Sequence, residues 1–255
     1  MSGMVWACEL LVVMAWLAAA ICAVLRRPLA CRWLTATGLL LIGGLLTWLW
    51  LHLERPPLRT LGETRLWYAG LSVAAGGLLA WRLRTTALRL PMLGLGVMFV
   101  GLNLAMPQTL DRTLMPALQS PLFVPHVVVY LLSYAVLGLS AGVAAWRLLR
   151  RENDCDLPFR LVHAGLPLLT LGLVLGAIWA KEAWGHYWAW DPKETWALLT
   201  WIAYVCLIHA EGDVRERPRL ALGTITASFG VVLMCWFLVN YLPSTAVSVH
   251  TYTRT

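Results

Sequence analysis

Long apolar segments are the feature that most limits what this chain can fold into. Eight can be marked off along its 255 residues: 5–25, 33–53, 66–81, 90–106, 122–146, 161–180, 195–210 and 220–242. Most are close to the roughly 20 residues that a helix needs to cross a hydrocarbon core of about 30 Å. Because lipid offers the backbone no hydrogen-bond partners, these segments are predicted to be helices. The expected fold class is therefore all-α, a polytopic membrane helical bundle of about eight transmembrane helices.

Composition argues against a water-soluble globule, since 60% of the residues are hydrophobic and only 13% are charged. Membrane lipid is thus the first expected partner. The net charge is +7. In a membrane protein such an excess of basic residues usually lies in the loops kept in the cytoplasm, so no nucleic-acid partner is predicted. The six cysteines lack any C-x-x-C pairing, so neither a thioredoxin motif nor a zinc cluster is predicted. The first apolar segment has no basic stretch before it and is expected to be a retained helix.

The distribution of basic residues predicts the orientation, because loops rich in lysine and arginine stay in the cytoplasm. One set of alternate loops holds Arg26, Arg27, Arg32, Arg82, Arg84, Arg89, Arg147, Arg150, Arg151, Arg160, Arg215, Arg217 and Arg219. The other set holds Arg55, Arg59, Arg65, Arg112, Lys181, Lys193 and Arg254. The first set is expected to be cytoplasmic, which places both termini on the outer side.

The segment W-G-H-Y-W-A-W-D-P-K-E-T-W, residues 184–196, lies between the sixth and seventh apolar segments. At its end, Asp191, Pro192 and Glu194 have the order of a capping box, which predicts that D-P-K-E begins the seventh helix. Elsewhere in the chain the tryptophans are expected to form an interfacial aromatic belt. That interpretation fits poorly where four tryptophans share 13 residues.

We call the segment 184–196 the tryptophan loop. Its first half could bind a flat apolar ligand. Trp184 and Trp188 are four residues apart and would share a face if the loop were helical, while Gly185 permits close approach of backbone or ligand. Porphyrin is such a ligand, and its iron needs axial ligands, most often histidine.

Topology divides the six histidines between the two membrane faces. His52, His126, His186 and His250 are expected near the outer face, and His163 and His209 near the inner one. His209 is 17 residues past Pro192, which is roughly 25 Å along a helix. A single histidine at a helix end is more often an interfacial or hydrogen-bonded residue than a metal ligand. The combination of outer histidines with the tryptophan loop favours ligation.

The motif and its continuation, K-E-T-W-A-L-L-T-W, closely resemble the tryptophan-rich WWD signature of haem-handling membrane proteins. The form is that of the CcsA (ResC) family of System II cytochrome c synthases; in the related CcmC and CcmF proteins the residues after W-x-W-D differ. The similarity extends to L-P-L-L-T-L-G-L at 166–173, W-A-K-E-A-W at 179–184, S-P-L-F-V-P-H at 120–126, P-P-L-R-T-L-G-E at 56–63, and V-N-Y-L and V-H-T-Y at 239–242 and 249–252. Strong matches cover roughly residues 120–255. We therefore expect an N-terminal four-helix membrane region at 1–118 and a haem-handling region at 119–255.

The resemblance implies a path for haem. Family members work with a second membrane subunit, CcsB (ResB), and carry haem b from the cytoplasmic to the outer side of the bacterial cytoplasmic membrane. There, thiols of an apocytochrome c C-x-x-C-H motif add to the haem vinyl groups. Carried over to this sequence, the outer iron ligands and catalytic residues are His126 and His250, and the inner haem ligand is His209. An enzymatic role would belong to this complex, a holocytochrome c synthase.

The resemblance also implies which residues contact haem b, both as substrate and as bound ligand. They are Trp184, Gly185, Tyr187, Trp188, Trp190, Asp191 and His209. A stack of the loop tryptophans would present the vinyl edge, and catalysis would consist mostly of positioning. His186 is expected at the rim, and His52 and His163 are not family positions. Two alternatives remain: a carrier that hands haem to a separate ligase, and a transporter or regulator in which the tryptophans are scaffolding.

Overall fold

The structure, a computed structural model, describes residues 2–106 and 112–242. Each of the eight predicted segments is a helix, and no strand occurs within those two ranges. The α-helices are α1 Ser2–Val24, α2 Pro28–Leu53, α3 Leu61–Arg82, α4 Arg89–Ala105, α5 Phe123–Arg150, α6 Asp156–Trp184, α7 Pro192–His209, α8 Glu211–Arg215 and α9 Pro218–Trp236. Two 3-10 turns, Pro116–Gln119 and Leu238–Tyr241, flank the second half. The predicted all-α fold is confirmed.

Five helices are long and apolar enough to cross a membrane: α1 from Gly3 onwards, α2, α5, α6 and α9. The 17-residue helix α4 is apolar but shorter. Helices α3 and α7 carry acidic capping residues in their first turns, which lowers their average hydropathy. The chain is a multi-pass membrane protein.

Several helix ends differ from the apolar segments that predicted them. Helix α3 begins at Leu61, because Thr60 and Glu63 form a capping box that hydropathy did not reveal. Its first three residues therefore belong to the predicted loop motif at 56–63. Helix α6 continues to Trp184, which is thus its last residue rather than part of the loop. Helix α9 ends at Trp236 instead of continuing to residue 242, and α8 was not predicted.

The chain divides into two compact units, Met1–Leu114 and Met115–Thr255. In the first unit, α1 packs against α2 and α4, and α3 packs against α4. The loop before α3 is held by a buried ion pair in which Arg55 donates two hydrogen bonds to Glu63, at 2.7 and 2.9 Å. The functional division at 118/119 stays a prediction.

In the second unit, the antiparallel pair α5 and α6 is joined by an evenly spaced set of hydrogen bonds. The hydroxyl of Ser133 donates to the Gly165 carbonyl at 2.9 Å, and that of Ser140 donates to the Pro158 carbonyl at 2.8 Å. His126 Nδ1 lies 2.9 Å from the Gly172 carbonyl oxygen. Donors and acceptors are each seven residues apart, so we call this set the α5–α6 ladder. It places His126 at the end of the pair where the tryptophan loop begins.

Candidate functional site

The tryptophan loop leaves α6 through Gly185, which has φ +87°, a left-handed conformation that glycine adopts without strain. The Lys181 ammonium donates to the Gly185 carbonyl at 2.7 Å and lies 5.7 Å from the centre of the Tyr187 ring. Residues 185–190 are not helical. The helical face that Trp184 and Trp188 would share is therefore absent.

The predicted cap of the seventh helix is confirmed. Asp191 is the N-cap residue of α7 and accepts a hydrogen bond from the Lys193 backbone at 2.9 Å. Glu194 Oε2 accepts from the backbone N–H of Asp191 at 3.1 Å and from that of Ala189 at 2.7 Å. Trp190 lies between these two donors and has φ +59°. The Glu194 carboxylate therefore both caps α7 and holds the loop around Trp190.

Lys193 lies at the start of α7, before the predicted span 195–210. Burial lowers the pKa of its ammonium to about 8, although Cys235 and the Asp191 carboxylate act in the opposite direction. Its carbonyl is 3.9 Å from Cys235 Sγ in α9. The loop end of α7 is therefore packed against α9 and contains a partly buried cation.

The His126 imidazole is enclosed by backbone and aromatic rings. Its contact with the Gly172 carbonyl places the ring proton on Nδ1, so that Nε2 carries the lone pair. A Cβ atom built on Gly176 would lie 2.5 Å from His126 Cε1, which makes glycine necessary there. The ring stacks on Trp179 with centroids 5.5 Å apart and planes 18° apart, and it meets Tyr130 edge-on at 5.0 Å. This arrangement fixes the plane of a potential metal ligand.

Trp179 brings His126 and the tryptophan loop together. Its ring is 3% exposed, and its indole N–H donates to the Ala117 carbonyl at 2.8 Å. It also meets Trp184 edge-on, with centroids 4.8 Å apart. Sequence reasoning missed Trp179 and Tyr130. The available signals were the position of Trp179 in W-A-K-E-A-W and the four-residue spacing of Tyr130 from His126.

The remaining loop rings form a second group. Trp188 and Trp190 meet edge-to-face with centroids 6.0 Å apart and planes 86° apart. Tyr187 and Trp190 are 59% and 69% exposed. The indole N–H of Trp188 is buried and has no hydrogen-bond partner among the residues described. The loop therefore offers exposed ring surface and one unused donor, and its pairs are edge-to-face rather than a parallel stack.

His209 lies at the other end of α7, as its last residue, and is exposed. Its Nδ1 is 2.8 Å from the carbonyl oxygen of Val205 in the same helix. Nearby in sequence, Glu211 binds His163 at 2.6 Å and Arg215 at 2.8 Å. Burial acts to raise the pKa of Glu211, but the hydrogen bonds from His163 and Arg215 outweigh it, so this pKa is below the ordinary glutamate value.

The other histidines have different surroundings. His52 stacks on Trp48 with centroids 4.9 Å apart, His186 is exposed in the loop, and His250 lies outside the described residues. Across ranges 2–106 and 112–242, no three histidine, cysteine or acidic side chains converge as a metal-binding cluster.

Comparison with known proteins gives a consistent set of relatives. The family model described as "Cytochrome C assembly protein" matches residues 4–247. CcsA of Synechococcus elongatus is 30% identical over 259 residues, covering 76% of this chain and 78% of that protein. CcsA of Synechococcus sp. (strain JA-3-3Ab) is 45% identical over 104 residues, 40% of this chain and 29% of that relative, so the match spans less than a third of its length.

A solved structure, "Cytochrome c Heme Lyase CcmF", has a similar fold with a TM-score of 0.69 and 19% sequence identity. The similarity covers 98% of this chain and 48% of the CcmF chain. At this level of identity the likeness concerns the arrangement of helices alone.

Proposed function

Because the chain belongs to the cytochrome c assembly family, and within it to the CcsA proteins, we propose that it is a subunit of a membrane cytochrome c synthase. It would bind haem b at the tryptophan loop and present it to the C-x-x-C-H motif of an apocytochrome c. One observation carries the proposal: the His126 ring contacts a backbone carbonyl through Nδ1 and stacks on Trp179, which in turn meets Trp184. Metal-bound histidines usually have such a partner on the nitrogen that does not bind the metal.

The residues at this end suit haem as the substrate. His126 Nε2 supplies one axial ligand, and His250, in the tail, is proposed as the second. Exposed ring surface on Trp190 and Tyr187 can contact a macrocycle, while Gly185 leaves the backbone open there. The buried indole N–H of Trp188 suits an acceptor such as a haem propionate oxygen. Asp191 acts indirectly, through the cap that shapes the loop.

The chemistry requires little from the protein beyond orientation. Each apocytochrome thiol adds across one vinyl group: a C–S bond forms, the vinyl double bond becomes a single bond, and the thiol hydrogen passes to the neighbouring carbon. The addition needs no oxidant or reductant. Holding vinyl and thiol together is the main source of rate enhancement in such a reaction.

His209 is proposed as the ligand through which haem enters from the opposite side. Its Nδ1 is also adjacent to a backbone carbonyl, which favours a lone pair on Nε2. A CcsB-like membrane subunit would supply the second ligand. We place the complex in the bacterial cytoplasmic membrane, with both termini and the tryptophan loop outside.

The test is co-expression of the chain with a CcsB-like subunit and an apocytochrome c. We expect haem-loaded cytochrome from the native chain, none from His126→Ala or His250→Ala, and partial recovery when imidazole is added. His186→Ala serves as a control at the same end and should retain activity. Normal maturation by both His126→Ala and His250→Ala would refute the ligand assignment.

The same experiment separates the two alternatives. Haem bound to the purified chain, without any covalent product in the presence of the CcsB-like subunit, would identify a carrier. A chain that shows no Soret absorbance when haem is supplied would be a transporter or regulator in which the tryptophans are scaffolding.

A further inference from the structure

The Trp179 ring contacts both the His126 ring and the Trp184 ring. We propose that Trp179 is a positioning residue that sets the plane of the His126 imidazole relative to the tryptophan loop. The inference rests on the proposed function only in requiring that His126 bind haem iron. It concerns an indole that does not itself touch the iron.

The contacts of His126 leave its ring little freedom to rotate. The near-parallel stack on Trp179, with planes 18° apart, opposes rotation about the Cβ–Cγ bond. The Gly172 carbonyl holds Nδ1, and Gly176 allows the backbone of α6 to approach the ring closely. Tyr130 meets the ring edge-on. Of these contacts, the Trp179 stack is the one whose loss would allow the ring to tilt while its hydrogen bond remains.

Trp179 is itself firmly held. Its indole N–H donates to the carbonyl of Ala117, in the 3-10 turn Pro116–Gln119 that precedes α5. Phe123, the first residue of α5, lies 5.6 Å from it between ring centroids. A ring with a fixed hydrogen bond and almost no exposed surface cannot change rotamer without disturbing both contacts. Trp179 therefore acts as a rigid support for its neighbours.

The support extends to the loop because Trp184 is the last residue of the same helix. Its ring meets Trp179 edge-on with centroids 4.8 Å apart. A macrocycle resting on the loop and an axial imidazole on His126 would then be oriented by one shared indole. Residues that orient a ligating histidine affect metal affinity and electronic state even though they do not bind the metal.

The experiment compares Trp179→Leu with Trp179→Phe in the full chain, purified with its CcsB-like partner and loaded with haem. The leucine variant loses the ring stack, so we expect a roughly tenfold loss of haem affinity and changed g values in the electron paramagnetic resonance spectrum of the ferric haem. Those g values depend on the orientation of axial imidazole planes. The phenylalanine variant keeps a stacking ring but loses the indole N–H, and its g values should stay near those of the native protein.

The control is Trp146→Leu, which changes a 47% exposed tryptophan in the same helix as His126. It should leave both haem affinity and g values unchanged. If Trp179→Leu does not fold, Trp179→Met fills more of the space and carries the same expectation.

Two results would overturn the inference. One is an aliphatic variant whose g values and affinity equal those of the native protein. The other is Trp179→Phe with g values shifted as far as those of the aliphatic variant, which would assign the effect to the indole hydrogen bond. Failure of the premise that His126 binds haem iron is distinct, because His126→Ala would then bind haem with the affinity and g values of the native protein.

Discussion

The two ends of the second unit each carry a histidine, but in very different surroundings. His126 is half-buried, stacked on Trp179, and bonded to a carbonyl of the neighbouring helix α6. His209 is exposed, and its Nδ1 contacts a carbonyl of its own helix. A ring held by a neighbouring helix is oriented before any ligand arrives, whereas a ring held only by its own helix can adapt. This difference supports the proposed roles, in which His126 ligates haem at the site of thioether formation and His209 receives haem at the other end.

The charged residues at the two ends also differ in how deeply they are buried. Near the loop, Glu194 is buried and bonded to two backbone donors, so its loss would leave those donors unsatisfied. At the other end, Arg215 contacts both Glu211 and Asp156 in a network where His163 and Asp156 are largely exposed. Exposed ion pairs contribute little stability. Substitutions should therefore have larger effects at the loop end.

The largest effect is expected from Gly176→Ala. The new Cβ would lie 2.5 Å from His126 Cε1, so the imidazole must move, at a cost of about 1–3 kcal/mol and a loss of haem affinity of roughly tenfold or more. Gly223→Ala in α9, where a Cβ meets nothing within 4 Å, is the matched control. Soret absorbance and thermal midpoint measure the two effects. Equal haem content in both variants would show that His126 is not rigidly held.

Glu194→Ala should come next, because Ala189 and Asp191 would lose the acceptor of their backbone N–H groups. The expected cost is about 1–3 kcal/mol, with faster amide hydrogen exchange at both positions and several-fold weaker haem binding. The control is Glu182→Ala, which removes an exposed carboxylate, bonded to Ser120, at the same end. Unchanged exchange at Ala189 would contradict a role for Glu194 in shaping the loop.

Ser133→Ala separates the effect of losing a hydrogen bond of the α5–α6 ladder from the effect of losing the proposed ligand His126. It removes one ladder hydrogen bond of the same length as that of His126, at about 1 kcal/mol of stability. Haem affinity should change by less than about twofold, since outer-shell effects of tenfold or more need a partner of the ligand itself. Thermal unfolding and haem titration are the measurements. A haem loss equal to that of His126→Ala would mean that His126 acts through helix packing alone.

The smallest effect is expected from Glu211→Gln. Because the folded-state pKa of Glu211 is lowered, its ion pairs stabilise the protein above the ordinary glutamate pKa of 4.5 and are lost as pH falls through the lowered value. Thermal midpoints between pH 7 and pH 3 should therefore fall slightly more steeply for the native chain than for this variant. Haem binding at the loop end at neutral pH should be the same for both. An identical pH profile would contradict the lowered pKa.

The helices could be predicted from the sequence because lipid leaves the backbone no alternative, and the α7 cap could be predicted because its signal is local. Helix ends were predicted less accurately, because hydropathy marks only the apolar part of a helix, whereas α6 continues past its apolar segment to Trp184. The position of His126 near the start of a helix could be predicted, but the residues that hold its ring could not. Contacts with Gly172 and Trp179 depend on the register between α5 and α6, which no single segment encodes.

The equal spacing of the α5–α6 ladder has a consequence for how such a protein can evolve. Inserting seven residues into α5 and seven into α6 would lengthen the pair by about 10 Å and could extend the ladder by one bond of the same kind. The loop and the rings around His126 would be unchanged. Membranes differ in thickness, and helices that are too short or too long for a bilayer carry an energetic cost. A ladder with a constant repeat allows the span to be matched to the membrane independently of the chemistry at its end.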